Sequence, residues 1–293
     1  MNRSTRTVNL LARSILEIRE APCLWPEEVT TNAERGIIIS ACGRLLPHLY
    51  ANLRIIRGVG FTEEIEIWHL PGEFTQAQIE FLSPLASFRE DDTSPFNGLT
   101  GCHEVHGFKA WALAKSRFRK TLLLDVNCFP LRPLESIFDS GEPCIIWQDG
   151  PWMGYHRLMA KLRRSLSTTF HNCEFESGEL FVDLSRPEIR LALRFAAALN
   201  SLGPKLYRYT YGDKETYALA FDLLGVPFTL APTPIVYPDA SVVECGGVLQ
   251  PGLDGASLFY HPMFAKDRWW EFKPEWAELH KTSEIAAAKF GVA

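Results

Sequence analysis

In the stretch TLLLDVNCFPL, Thr121 to Leu131, apolar residues lead directly into Asp125, and Asn127 follows two positions later. Residues two apart on an extended segment point to the same side. A carboxylate and an amide oxygen placed that way can hold a divalent cation, and the cation can neutralise a diphosphate. A turn aspartate that caps the following RPLESIF segment is the competing reading, and the residues alone leave both open.

The elements around this pair alternate. Gly36 to Ala41 reads as a buried strand, followed by a turn with Gly43. Pro47 opens a helix with an apolar stripe at Leu49, Leu53 and Ile56. Glu64 to Leu70 reads as the next strand, so the chain opens with a βαβ unit and a parallel sheet is expected. Arg89 to Gly107 is rich in Gly, Ser, Thr, Asp and Asn and reads as a long active-site loop. Gly107 to Phe118 is predicted helical and feeds the strand that ends at Asp125. Pro143 to Asp149 is a short strand that also ends in an acid. The strand in ESGELFVD precedes a helix with a capping-box pattern at Ser185 and Glu188 and a stop at Gly203. A further helix ends at Gly225, and LFYHP is a late strand. Acids at strand ends mark where ligands gather in open α/β sheets.

The bulk numbers bound the function. The chain has 293 residues, enough for a sizeable core, with 46% hydrophobic and 22% charged residues. Net charge is −5, which argues against a broad nucleic-acid-binding surface. Cys23, Cys42, Cys102, Cys128, Cys144, Cys173 and Cys245 are scattered singly, so free thiols are expected and a zinc site is not. No apolar run reaches the length of a membrane span. Arg13, Glu17 and Arg19 interrupt the first apolar patch, which reads as an amphipathic surface helix rather than a secretory signal. A cytoplasmic protein is expected, with residues 1–34 a helical extension and residues 35–293 a single domain.

The ordered segments GIIISACGRLLPHLYANLRIIR, EIEIWHL, GFKAWALAKSRFRKTLLLDVNCFPL, IIWQD, ESGELFVD, GDKETYALA and LFYHPMFAK resemble the α-mannosyltransferase family typified by fungal Golgi α-1,3-mannosyltransferases. The resemblance runs from Gly36 to Lys266. It implies a type-A glycosyltransferase fold, α/β with a Rossmann-like mixed, mostly parallel sheet flanked by helices. It also implies a nucleotide diphosphate sugar donor, GDP- or UDP-linked, a divalent metal, Mn²⁺ or Mg²⁺, and retention of the α configuration.

Carried over by position, Asp125 matches the first aspartate of the family's Asp-x-Asp. Asn127 stands where the second usually is, a departure that removes one negative charge from the metal site. His261 matches the late histidine that completes the metal site, and Lys266 a phosphate-binding cation. Ala41, Gly43 and Arg44 fall beside the nucleotide, although a tight βα turn explains Gly43 as well. Lys109 falls near the diphosphate; solvation explains a lone helical lysine equally well. Asp149, Glu176, Ser177 and Gly178 fall in the sugar and acceptor pocket, with Trp147 beside Asp149. Asp213 and Lys214 match a family motif, and Asp213 also suits a helix N-cap with Thr216 at N3. A sugar-nucleotide binder without catalysis and a nucleotidyltransferase of similar architecture are the rival readings. The single glycine of SACGRLLP disfavours the latter.

Overall fold

The computed structural model describes residues 3–96, 102–149, 156–169, 171, 173–210, 212–231, 247–262 and 266–292. The chain begins with α1 (Arg3–Arg19), β1 (Ala33–Ser40), α2 (Leu46–Gly58), β2 (Glu64–His69), α3 (Gln76–Leu82) and β3 (Ser87–Glu90). It continues through α4 (Cys102–Ala114), β4 (Phe118–Leu124), β5 (Phe129–Pro130), α5 (Glu135–Phe138), β6 (Cys144–Gln148), α6 (His156–Leu166) and β7 (Phe175–Asp183). The remaining elements are α7 (Pro187–Asn200), α8 (Gly203–Leu206), α9 (Lys214–Leu224), β8 (Thr229–Leu230), β9 (Gly247–Pro251), β10 (Ser257–Pro262) and α10 (Trp276–Lys289). Seven strands form a mixed, mostly parallel sheet flanked by helices, the α/β architecture that the alternation of elements predicts. The strands β5, β10 and β9 form a second sheet.

The chain divides into two compact units. The first comprises Met1–Glu34, Ser94–Thr121 and Glu142–Leu230, the second Arg35–Thr93, Leu122–Gly141 and Ala231–Ala293.

In the second unit, β1 pairs in parallel with β2, from Gly36 opposite Glu64 to Ser40 opposite Trp68, and β2 pairs in parallel with β3. Both crossovers are helical. The stripe predicted for α2 is fully buried at Leu49, Leu53 and Ile56. A capping box starts α3, where the Thr75 side chain accepts from the Gln78 amide. The small antiparallel sheet pairs Tyr260 with Phe129 and His261 with Val248. Its aromatic core joins Phe129, Tyr260, Trp269 and Trp276 to Ala51 and Ile55 of α2. Gly247 lies so close to the Tyr260 ring that a Cβ there would meet it at 2.1 Å, which forbids any side chain.

In the first unit, β6 pairs antiparallel with β7 and parallel with β8. The helix α7 packs against α4 and α9, and α1 packs on α6 and α7. Trp25 stacks on Phe195 and donates its indole N–H to the Ile18 carbonyl, which ties the chain after α1 to α7. Gly225 closes α9 in the left-handed region, at a φ of 67°.

Three local expectations are corrected. Cys102 to Gly107 is the start of α4, so the predicted loop is shorter than Arg89–Gly107; residues 97–101 of it lie outside the described residues. The capping box at Ser185 does not form. The amide and hydroxyl of Ser185 both donate to Asp183 Oδ1, and Pro187 provides the first helical residue instead. Gly203 does not stop α7, which ends at Asn200; it opens α8.

Candidate functional site

The second unit carries the candidate metal ligands. Asp125 follows the last residue of β4 and is half-buried. The next two residues do not continue the strand. They form a turn closed by the Cys128 N–H, which donates to the Asp125 carbonyl at 2.9 Å. Asp125-Val126-Asn127 is therefore not the extended segment expected from the sequence, and the turn decides where the two side chains go. Asn52 of α2, fully buried, holds that turn through its amide nitrogen, which donates to the Asp125 carbonyl at 3.1 Å and the Val126 carbonyl at 3.2 Å.

Asn127 is buried, and its Nδ2 donates to the Pro262 carbonyl at 3.1 Å. That bond puts Asn127 against the end of β10, next in sequence to His261, which is also buried. With Nδ2 on a carbonyl, the amide orientation is set. That leaves Oδ1 as the atom of this side chain that could face a cation. The ligands expected from the sequence would supply a carboxylate from Asp125, an amide oxygen from Asn127 and an imidazole from His261. Such a set fits a hard divalent ion, but with one negative charge. Among the described residues, no three His, Cys, Asp or Glu side chains converge as a metal cluster, so the fit depends on the amide. Lys266 lies in a helical turn after β10, and its side chain lies outside what is described.

The loop after β1 shows why Gly43 is glycine. Its N–H donates to the Glu73 carbonyl at 2.8 Å, and a Cβ there would stand 2.7 Å from that oxygen. The tight approach is to the protein's own backbone. Ala41 N–H donates to Trp68 O, and Arg44 is exposed.

The first unit gathers the other candidates into a buried polar cluster. Lys214 makes a short ion pair with Asp149 and bonds Glu174 at 3.1 Å. Burial acts to lower the Lys214 pKa, but Asp149, Glu174 and Glu176 outweigh it and raise the value overall. The amine is therefore a fixed cation among carboxylates. Glu176 turns back onto its own strand, where Oε1 accepts from the amides of Ser177 at 2.7 Å and Gly178 at 2.8 Å. Asp213 accepts from the Ser177 hydroxyl at 3.1 Å and the Tyr217 hydroxyl at 2.9 Å, and Lys109 Nζ lies 3.5 Å from it. Lys109 also donates to the Ser177 carbonyl at 3.2 Å. Asp213 occupies the N-cap position of α9, yet its side chain makes no cap bond. The cap expectation is corrected: the carboxylate faces the cluster. Trp147 is fully buried on β6.

Sequence reasoning missed Asn52, Glu174, Tyr217 and Arg163. Glu174 had a signal, three acids, Glu174, Glu176 and Glu179, within six residues at the start of β7. Arg163 had none. It is buried, pairs with Asp222 and Glu215, and lies on a helix whose Lys161 and Arg164 are exposed. Glu215 has its pKa raised by burial, opposed chiefly by Arg163.

Residues 34–142 match the model of a family described as Mannosyltransferase putative. The matched span includes β1, the loop with Gly43, and the turn with Asp125 and Asn127, and it supports a glycosyltransferase. No curated protein matches the chain. Among solved structures, galactosyltransferase LgtC in complex with donor and acceptor sugar analogs aligns at 12% identity and a TM-score of 0.43, over 83% of this chain and 99% of its own. Core-mannan synthase A from Aspergillus fumigatus, in its Mn/GDP form, aligns at 8% identity and a TM-score of 0.44, over 68% of this chain and 72% of its own. The apo bifunctional glycosyltransferase WbbM aligns at 11% identity and a TM-score of 0.47, over 70% of this chain; the alignment spans only 40% of that enzyme's length. No helix among the described residues is long and apolar enough to cross a membrane.

Proposed function

We propose that the chain is a metal-dependent, retaining glycosyltransferase. It moves a hexose, mannose being the first choice, from a GDP- or UDP-linked donor to an acceptor hydroxyl in the cytoplasm. The catalytic fold is assigned to residues 35–293. The observation that carries the reading is the family match over 34–142, which spans Asp125 and Asn127.

Within this reading, Asp125, Asn127 and His261 hold the metal, and Ala41, Gly43 and Arg44 contact the donor nucleotide. When bound, Mn²⁺ or Mg²⁺ would offset the charge of the departing diphosphate. Lys109 and Lys266 are assigned to the diphosphate as further cations. Asp149, Glu176 and Asp213 are assigned, with Asp125, to catalysis at the sugar and acceptor, and Ser177, Gly178 and Lys214 to donor binding. Their bonds support positioning: Lys214 pairs with Asp149, and Asp213 orients the Ser177 hydroxyl.

The experiment is a thermal-shift screen of GDP-, UDP- and dTDP-sugars with and without Mn²⁺, followed by assay of nucleoside diphosphate release. A ligand that binds the native state raises Tm by mass action. A metal-dependent Tm rise with one donor and release of its nucleoside diphosphate is expected. If no donor shifts Tm and none is consumed, the reading fails. Asn127 favours one second reading, a binder with weak or no catalysis; a donor that shifts Tm but is never cleaved would establish it.

A further inference from the structure

The first unit presents a basic face on an otherwise acidic protein. The helix α1 carries Arg13 and Arg19 against one acid, Glu17, among its described side chains. Its neighbour α6 exposes Lys161 and Arg164 and contains no acid, whereas Arg163 is buried and paired with Asp222 and Glu215. Ser165 of α6 bonds Asn9 of α1 at 3.3 Å, so the two lie side by side. On the other flank of α1, Leu10, Leu11, Ser14 and Glu17 line a cleft of about 460 Å³ together with Lys205 and Arg208. The whole chain has a net charge of −5, so this concentration of cations is local.

The nearby acids are already compensated. Glu17 bonds Arg13 at 2.9 Å, and Glu20 bonds Arg19 at 2.8 Å. Lys161, Arg164, Lys205 and Arg208 are exposed and have no ion-pair partner among the described residues. Between these cations stands Leu10, 59% exposed, on the same helical face as Arg13 and Glu17. The buried side of α1, with Val8, Leu11, Ile15 and Ile18, faces the unit's own core, so the helix is not free to insert.

We infer that the face formed by α1, α6 and the α8 segment docks this chain on an anionic lipid bilayer. Charge complementarity selects the partner: unpaired cations on two flanks suit a plane of phosphate headgroups. The leucine at the centre selects lipid over nucleic acid. An exposed apolar side chain amid cations gains by entering the headgroup region and gains nothing on a phosphodiester backbone. Attachment of this kind is peripheral and reversible.

Co-sedimentation with vesicles tests it. The full chain should bind vesicles of phosphatidylcholine containing about one-third phosphatidylglycerol, and not pure phosphatidylcholine. High salt should release it. Lys205→Glu with Arg208→Glu should lower partitioning by roughly tenfold or more, given about fivefold per cation near such a surface. Lys161→Glu with Arg164→Glu should do the same from the other flank, and Leu10→Gln should weaken binding further at fixed charge. Circular dichroism checks that each variant is folded. Failure to bind the anionic vesicles overturns the inference. So does binding to heparin or RNA that matches vesicle binding and is indifferent to Leu10→Gln, which would point to a polyanion instead.

Discussion

The Asn127 side chain donates from its amide nitrogen to the Pro262 carbonyl, 3.1 Å away, and so fastens the turn after β4 to the end of β10. One residue thus serves two purposes. Its nitrogen joins two segments more than a hundred residues apart, and its oxygen remains the ligand the metal reading needs. An aspartate at this position could not make that bond, because a carboxylate only accepts.

Asn127→Asp should therefore act in opposite directions on stability and on metal. It places an acceptor against a buried carbonyl, at a cost of about 1–3 kcal/mol. It also restores a unit of negative charge to the donor set. The variant should melt below wild type without metal and gain more from Mn²⁺. Calorimetric titration of Mn²⁺, with and without nucleoside diphosphate, gives the second half. Wild type should bind Mn²⁺ weakly alone and more tightly with the nucleotide, and by linkage the metal should tighten nucleotide binding equally. Identical metal responses from the two proteins would remove Asn127 from the ligand set.

Asp125→Ala should cut transfer by roughly two orders of magnitude, the scale of losing one preorganised electrostatic group. The fold should survive, because Asn52 and Cys128 hold this turn by backbone atoms. Steady-state release of nucleoside diphosphate is the assay. Asn52→Ala is the complementary variant. It removes the amide bond from the Val126 carbonyl and one of two bonds from the Asp125 carbonyl, which keeps the Cys128 N–H, and should cost about 1–3 kcal/mol of stability. Near-normal turnover in folded Asp125→Ala would exclude the aspartate from the site.

Asp213→Ala distinguishes a cap from a buried charge. Loss of a helix cap costs about 1 kcal/mol. Loss of one partner of a buried ionic cluster costs about 3–5 kcal/mol. The bonds from Ser177 and Tyr217, with Lys109 nearby, favour the larger figure. Denaturant unfolding measures it, and a value near 1 kcal/mol would mean the cluster is not cooperative.

Lys214 makes stability depend on alkaline pH. Its pKa is raised in the folded chain, because the surrounding carboxylates outweigh burial. The folded state then holds the proton more tightly than the unfolded one. The stabilisation is full below the ordinary lysine range and is lost as pH rises through the higher folded value. Tyr207, raised by burial and by Asp213, adds to the loss in the same direction. Tm should fall as pH climbs past about 10. Lys214→Gln should have a lower Tm at neutral pH and a shallower fall. Parallel curves for the two proteins would assign the alkaline loss elsewhere.

Much of the architecture was legible from local pattern. The stripe Leu49, Leu53, Ile56 and the strands around Ile38 and Ile67 follow from periodicity, because burial of one face is a local property of the chain. The left-handed stop at Gly225 was legible for the same reason. The site was legible only as a set of residue types. Asp125, Asn127, Asp149 and Asp213 are recognisable as polar residues at the ends of apolar segments. Sequence by itself also settled the charge balance that makes the face of α1 and α6 stand out. What only the tertiary structure decided is direction and partner. The turn at Val126 and Asn127 replaced a straight strand because Asn52, some seventy residues earlier, satisfies its carbonyls. The Asp213 carboxylate turns from the helix end, whose N-cap position it holds, to the hydroxyls of Ser177 and Tyr217. Glu174 and Arg163 entered buried clusters that no spacing announces. A hydrogen bond or ion pair between distant segments depends on where the chain has already been brought, and neither spacing nor composition carries that information.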